Sequence, residues 1–213
     1  MAPLRILKVC AIVVVMGVLI GVFHQWHVLL GGLLFGFMIL YPIRSLAQKT
    51  ENTPQLLLTV AGMGLNLVAG TLVELWGTHN GHWTYWDLPP GVMVPFWVPV
   101  AWAWAYKVVH KVETILLENY PAEGIRKWAF LIILPSIVIP TLGELVAINL
   151  GVWSYHWQPQ IWGMPPLAAV LLGVFHVFVF WLMKWVCGLM RVTDAVYASA
   201  HGAGLENVER VRV

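Results

Sequence analysis

The chain has 213 residues, of which 60% are hydrophobic and only 10% charged, with a formal net charge of +2. Soluble domains carry about 25% charged residues, so this composition excludes an ordinary globule in water. It also excludes disorder, which needs low hydrophobicity and high net charge, and so small a positive charge gives no case for a nucleic-acid partner. Cys10 and Cys187 each lie inside an apolar run, a context that suggests neither a disulfide framework nor a zinc knuckle. The remaining class is a polytopic, all-α membrane protein whose surroundings are lipid.

A helix that crosses the hydrocarbon layer needs about 20 mostly apolar residues. In chain order six stretches qualify: 6–23, 26–43, 55–76, 92–109, 128–150 and 166–189. Arg5 and Lys8 ahead of the first give it the look of a signal peptide. A second span follows almost at once and no small-residue cleavage site is evident, so the first reads as an anchor. All twelve Lys and Arg residues fall at the N-terminus, in the second–third or fourth–fifth connection, or at the C-terminal end. With six spans those places share one side, and positive charge marks it as cytoplasmic. The expectation is a bundle in a bacterial or archaeal inner membrane with both termini cytoplasmic.

The opposite face has no Lys or Arg in its connections. It holds His24, His27, His79, His82, Asp87 and His156, with Glu74 and Glu144 near helix ends. Tryptophan is concentrated there too: Trp26, Trp76, Trp83, Trp86, Trp153, Trp157 and Trp162. An interfacial belt accounts for rings at headgroup level, but not for acids among them.

Compared with itself at an offset of 70, the chain aligns two segments without gaps. Thr71-Leu72-Val73-Glu74-Leu75 matches Thr141-Leu142-Gly143-Glu144-Leu145. Gly81 and Gly151 follow, then Trp83-Thr84-Tyr85 and Trp153-Ser154-Tyr155, then Pro95 and Pro165. Asn66 and Ser136 precede the glutamates by eight residues, on nearly the same helix face and two turns deeper. The chain therefore divides into a first hairpin (1–50), two repeat units (51–121 and 122–192) and a solvated cytoplasmic tail (193–213), all one structural domain. Two like hairpins facing each other across a pseudo-two-fold axis would bring both glutamates to one cleft. Pro95 and Pro99 are expected to bend one return helix, and Pro135 and Pro140 to interrupt the fifth; broken helices at that depth fit a cavity.

A carboxylate held inside a membrane is costly, so acids there are functional by default. Two that share an apolar cleft do not both ionise readily, leaving a general acid and a general base in one pocket. The alternative is that each glutamate only ties down its own loop. Aromatic faces stabilise cations by up to about 2 kcal/mol where water is excluded. An acid, a dry cleft and a ring of Trp and Tyr suit protonation of an alkene or epoxide and guidance of the resulting carbocation. The expected substrate is an isoprenoid entering from the lipid. The candidate acid–base residues are Glu74, Glu144, Asp87 and His82. The candidate substrate wall is Asn66, Trp76, Trp83, Tyr85, Trp86, Trp153, Tyr155 and Trp162.

The motif Glu-x6-Gly-x-Trp-x-Tyr, followed by a proline-led helix (Ile161-Trp162-Gly163-Met164-Pro165), resembles the small integral-membrane carotenoid-biosynthesis proteins. These are the carotenoid hydratases, the heterodimeric-type lycopene cyclases and the related membrane terpene cyclases. The resemblance covers about residues 66–180 and lacks the adjacent-glutamate motif of lycopene cyclases. It implies acids near helix ends, here Glu74 and Glu144, that protonate an isoprenoid without metal or cofactor.

The outer histidines offer a rival chemistry, a metal-dependent oxidase, because imidazole and carboxylate suit zinc, copper or iron. Loop hydrogen bonding or a proton relay is the plainer role for them, and His82 could remove a final proton. His176, in the middle of the sixth span, reads as a buried packing or hydrogen-bonding residue. There is no phosphate loop, nucleophile elbow, dinucleotide fingerprint or Asp-rich magnesium motif. The leading expectation is a protonation-initiated terpene cyclase, or a hydratase using the same acid. A pigment- or quinone-binding subunit is the non-enzymatic alternative.

Overall fold

A computed structural model describes residues 2–120 and 124–197. The chain is mostly helical. Helices α1 (Ala2–Phe23) and α2 (His27–Gln48) meet at a tight turn over His24–Trp26. There follow α3 (Thr53–His79), α4 (Trp97–Asn119), α5 (Gly124–Asn149) and α6 (Pro166–Met190). By length and composition, four stretches among the described residues could cross a membrane: Ala2–Gln48, Thr53–His79, Gly124–Asn149 and Pro166–Met190. The outer surface of these helices is apolar, with Leu7, Leu33, Phe37, Leu72, Phe178 and Trp185 exposed. In water such a face would drive aggregation; against lipid it is at home.

Within the first of those stretches the chain turns back on itself. Arg5, near the start of α1, reaches Glu118 near the end of α4 at 3.6 Å. Gly31 of α2 instead abuts Phe96 and Trp97 at the start of α4, and Tyr41 further along α2 accepts a hydrogen bond from Lys107. Helices α1 and α2 thus run in opposite senses along α4.

Helix α4 departs from the expected span 92–109. The preference of a pre-proline residue for extended backbone keeps Val94 out of a helix, so Pro95 precedes α4 and bends nothing. Pro99 falls in its first turn, where a missing N–H leaves no bond unmade. At the other end the helix continues through polar residues because Val109, Val112 and Ile115 are buried at helical spacing. Lys107 and Lys111, expected in a connection, therefore lie inside α4, which also carries Glu113 and Glu118 and is not among the four apolar stretches.

In α5 the break comes before the prolines. Residues Lys127–Ile133 form a π-helical stretch, and regular helix resumes from Leu134 to Asn149 with Pro140 inside it. Pro135 has no N–H for the preceding turn and its ring crowds that turn's carbonyl, which a wider turn accommodates.

The chain is not purely helical. Trp83–Tyr85 (β1) and Trp153–Tyr155 (β2) pair antiparallel, with Trp83 opposite Tyr155, Thr84 opposite Ser154 and Tyr85 opposite Trp153. Bonds from His156 N to His82 O and from Trp86 N to Val152 O extend the ladder by one rung at each end. Both Gly81 and Gly151, which turn the chain out of α3 and α5 toward these strands, have positive φ (69° and 81°), a conformation that costs glycine nothing.

Helix α3 packs mainly on α4, α1 on α5, α2 on α4, and α5 on α6. One buried cluster lies beneath the ladder (Leu34, Trp97, Val98, Val100, Ala147, Val152) and another at the far end (Leu58, Met63, Tyr106, Ile132, Phe180, Met183). The chain after α6 joins the second cluster: Asp194, Val196 and Tyr197 are buried rather than solvated, contrary to the expected tail. Residues 198–213 of that tail lie outside the described residues.

Candidate functional site: a carboxylate-bearing chamber

A cavity of about 660 Å³ runs between the helices, from the β ladder at one end to Arg44, Gln48 and Thr50 at the other. That volume suits a drug-sized or larger apolar ligand. Glu74 and Glu144 both line it, together with Trp83, Tyr85, Trp153, Tyr155 and Asn66. The correspondence at offset 70 extends further along the wall. Asn66 and Ser136, Glu74 and Glu144, Trp83 and Trp153, and Tyr85 and Tyr155 all line it. So do three pairs on the return helices: Trp102 and Leu172, Ala105 and Phe175, Tyr106 and His176.

The two carboxyl groups share one feature and differ in another. Tyr85 Oη donates to Glu74 Oε2 at 2.9 Å, and Tyr155 Oη donates to Glu144 Oε2 at 3.0 Å, each tyrosine eleven residues beyond its glutamate. Glu74 accepts two further bonds, from Trp83 Nε1 to Oε2 and from Trp102 Nε1 to Oε1, each 2.9 Å. Three donors converge on Glu74, the shell a carboxylate needs when it leaves water. Glu144 has only the tyrosine among the described residues, so an oxygen is left for a proton or a ligand.

The local sequence explains the tight shell. Trp83 folds back over the last turn of α3 because Gly77 leaves room; a Cβ there would collide with the indole. Gly70 opens the same helix face to Trp102 of α4. Aromatic rings then pack around the carboxyl groups: Tyr85 and Trp153, tilted at 54°, have centroids 5.6 Å apart, and Trp83 and Tyr155, edge to face, 5.7 Å.

Five of the twelve sequence-expected site residues do not line this chamber. Trp76, Trp86 and Trp162 point outward, with Trp162 76% exposed at a positive φ of 50°. Exposed rings at this end fit an interfacial belt. Asp87 lies in the turn after β1 at a positive φ of 56° and holds His24 Nε2 at 3.0 Å. His82 sits on the outer side of the ladder, where its Nδ1 accepts from Trp157 Nε1 at 3.1 Å and its ring contacts Trp76. Two other outer histidines have separate partners: His156 meets Thr84 at 2.9 Å and His27 meets the Phe96 amide at 3.5 Å. Among the described residues no three His, Cys, Asp or Glu side chains gather as a metal site.

Trp102 was not legible as a site residue, because its counterpart is Leu172 and no repeat marks it. Glu113 was also missed. It is fully buried, and its Oε1 lies 2.6 Å from His176 Nε2. Near it Tyr197 Oη donates to Tyr106 Oη at 3.0 Å, and His110 Nε2 lies 3.2 Å from both oxygens of Asp194. Burial works against the Asp194 charge, but the His110 ring and the Val196 and Tyr197 amides overcome it and hold this carboxyl below its ordinary range. Comparison with protein-family models, with curated proteins and with solved structures finds no match for this chain.

Proposed function

We propose that this chain is a six-span integral-membrane protein with cytoplasmic termini, built on a duplicated helical hairpin, and that it protonates an isoprenoid drawn from the lipid phase. The observation that carries this reading is that Glu74 and Glu144 open onto the same apolar, Trp- and Tyr-walled chamber. Glu144 is the acid, because it has one donor and a free oxygen; Glu74, with three donors, is the partner that stays charged and favours the cation electrostatically.

The Glu144 proton goes to an alkene carbon, whose π pair forms the new C–H bond, or to an epoxide oxygen, whose C–O bond breaks. Either leaves a carbocation on carbon. A neighbouring double bond of the same chain attacks it and closes a ring, and loss of a proton re-forms an alkene. If water attacks instead and the resulting oxonium loses a proton, the product is an alcohol. The faces of Trp83, Trp153, Tyr85 and Tyr155 stabilise the travelling charge, by about 2 kcal/mol each at most. This is the chemistry implied by the resemblance to carotenoid hydratases and membrane terpene cyclases, and it needs no metal or nucleotide.

The test is to place the purified protein in lipid nanodiscs with lycopene, squalene, 2,3-oxidosqualene and geranylgeraniol, each separately, and to analyse the lipid extract by mass spectrometry. A mass-neutral product means cyclisation and a gain of water means hydration. Incubation in D2O leaves a stable deuterium on carbon where an alkene is protonated, whereas an epoxide oxygen gains only an exchangeable one. No product from any probe, with the protein folded, rejects the enzymatic reading.

A second reading is favoured by the same hydrogen bonds. Trp83 and Tyr85 follow Glu74, and Tyr155 follows Glu144, so each glutamate also clamps its own loop. The chamber would then simply hold a lipid-soluble pigment or quinone. Co-purification of one such molecule per chain, retained in Glu144→Gln, supports this reading over the first.

A further inference from the structure

Farther along the chamber wall is a second pair of ionisable side chains, His176 and Glu113. His176 lies ten residues into α6, about 15 Å along it at 1.5 Å per residue. Its ring lines the chamber, and Nε2 lies 2.6 Å from Oε1 of Glu113, which is wholly buried on α4 and does not line the chamber. Nε2 and both Glu113 carboxyl oxygens are buried with no other partner among the described residues, so with Nε2 turned to the carboxyl group Nδ1 is the nitrogen left for the chamber. The next residue back, Phe175, has its ring 4.8 Å from Trp102, whose indole N–H holds Glu74. The pair therefore continues the same wall as the carboxyl groups.

An imidazole whose far nitrogen faces a buried carboxylate is fixed in one tautomer, with its near nitrogen basic and its protonated form charge-compensated. Few other groups compete for it. Tyr106 on α4 and Tyr197 after α6 lie within electrostatic reach of Glu113, and Asp194 lies beyond them, paired with His110. From α3 and α5 the polar groups on the chamber wall are Asn66, bonded to Gly62 O, and Ser136, bonded to Ile133 O, both uncharged. The α1 residues packed against this stretch of α4 are Val9, Cys10 and Val13.

We propose that His176 is a proton acceptor on the chamber wall, with Glu113 as its positioning residue. On the reading of the chamber as a cyclase, which this step rests on, His176 Nδ1 takes the proton that ends the reaction. The C–H pair becomes the new C=C bond, the proton moves to Nδ1, and the imidazolium is balanced by Glu113 until the proton leaves to solvent. If water quenches the cation, Nδ1 takes the proton that the bound water sheds.

Two measurements separate this inference from the reading beneath it. The first needs no substrate: 15N-histidine NMR of the full chain in nanodiscs, with His176→Gln identifying the resonance. The expected result is a ring whose neutral form carries its proton on Nε2, with proton affinity at least tenfold lower in Glu113→Gln. Glu113→Asp serves if the amide variant does not fold, with a smaller loss in the same direction. A His176 ring that does not titrate between pH 4 and 9, or whose titration is the same in both variants, overturns the proposal. The second uses whichever isoprenoid probe the wild type converts. His176→Gln is expected to keep deuterium uptake at the protonated carbon but to turn a single alkene product into a mixture of isomers. An unchanged single product overturns the terminating role. If the wild type converts no probe, the cyclase reading fails, and the titration alone decides whether the acceptor exists.

Discussion

Trp83 and Tyr155 are partners across the β ladder, with ring centroids 5.7 Å apart, and they hold different acids: the Trp83 indole donates to Glu74 and the Tyr155 hydroxyl to Glu144. Because Tyr85 opposite Trp153 also bonds Glu74, one short ladder fixes both carboxyl groups relative to each other. A shift of either loop would move an acid.

Replacing the acids separates their roles. Glu144→Gln keeps the Tyr155 bond, because the amide oxygen still accepts, so the fold is expected to persist; if Glu144 is the acid proposed above, turnover falls about 10²–10⁴-fold. Glu74→Gln brings an NH2 against indole and phenol donors and is expected to cost about 1–3 kcal/mol of stability as well as activity. Thermal unfolding in detergent and product analysis of both variants check this; equal stability losses would contradict the unequal donor shells.

The tyrosines give a subtler contrast. Tyr155→Phe removes the one donor to Glu144 among the described residues, whereas Tyr85→Phe leaves Glu74 with two indoles. Each should cost about 1 kcal/mol of stability. Turnover is expected to drop further in Tyr155→Phe, measured as initial rate with the isoprenoid probe that the wild type uses.

Two glycine substitutions on α3 should have opposite signs. Gly77→Ala drives a methyl into the Trp83 indole and is expected to destabilise by about 1–3 kcal/mol and to shift tryptophan fluorescence. Gly64→Ala meets no neighbour within 4 Å and is expected to be neutral or to stabilise by up to about 1 kcal/mol through helix propensity. Melting curves of the two variants side by side test whether Gly77 is kept for close approach.

Acid stability tests the packed end of the chain. The folded carboxyl of Asp194 is held below its ordinary range, so it contributes stability that is present above about pH 4 and is lost as the pH falls toward its folded value. Wild-type melting temperature should therefore decline below about pH 4, and Asp194→Asn should melt lower at neutral pH and decline less in acid. A parallel pH profile for the two proteins would show that the His110 contact adds nothing.

The sequence match at offset 70 put Glu74, Glu144, the Trp and Tyr pairs and Asn66 forward, and all of them line the chamber, because their separations are fixed by helix pitch and one short loop. The apolar runs likewise located the helices to within a few residues except at α4. There, prolines at one end and a polar but amphipathic extension at the other made hydropathy a poor guide. What sequence separation could not convey is which way a loop ring turns. Trp76 and Trp86 are about as near to Glu74 in sequence as the rings that matter, yet they face outward, as does Trp162. Nor could it pair Glu113 with His176, or bring Trp102 to Glu74, since those contacts join helices far apart in the chain and depend on how α4 rotates against α3 and α6. Local periodicity and composition determine where a helix forms and which residues sit on one face. Which faces meet is decided only when the whole bundle minimises its exposed polar groups and fills its interior.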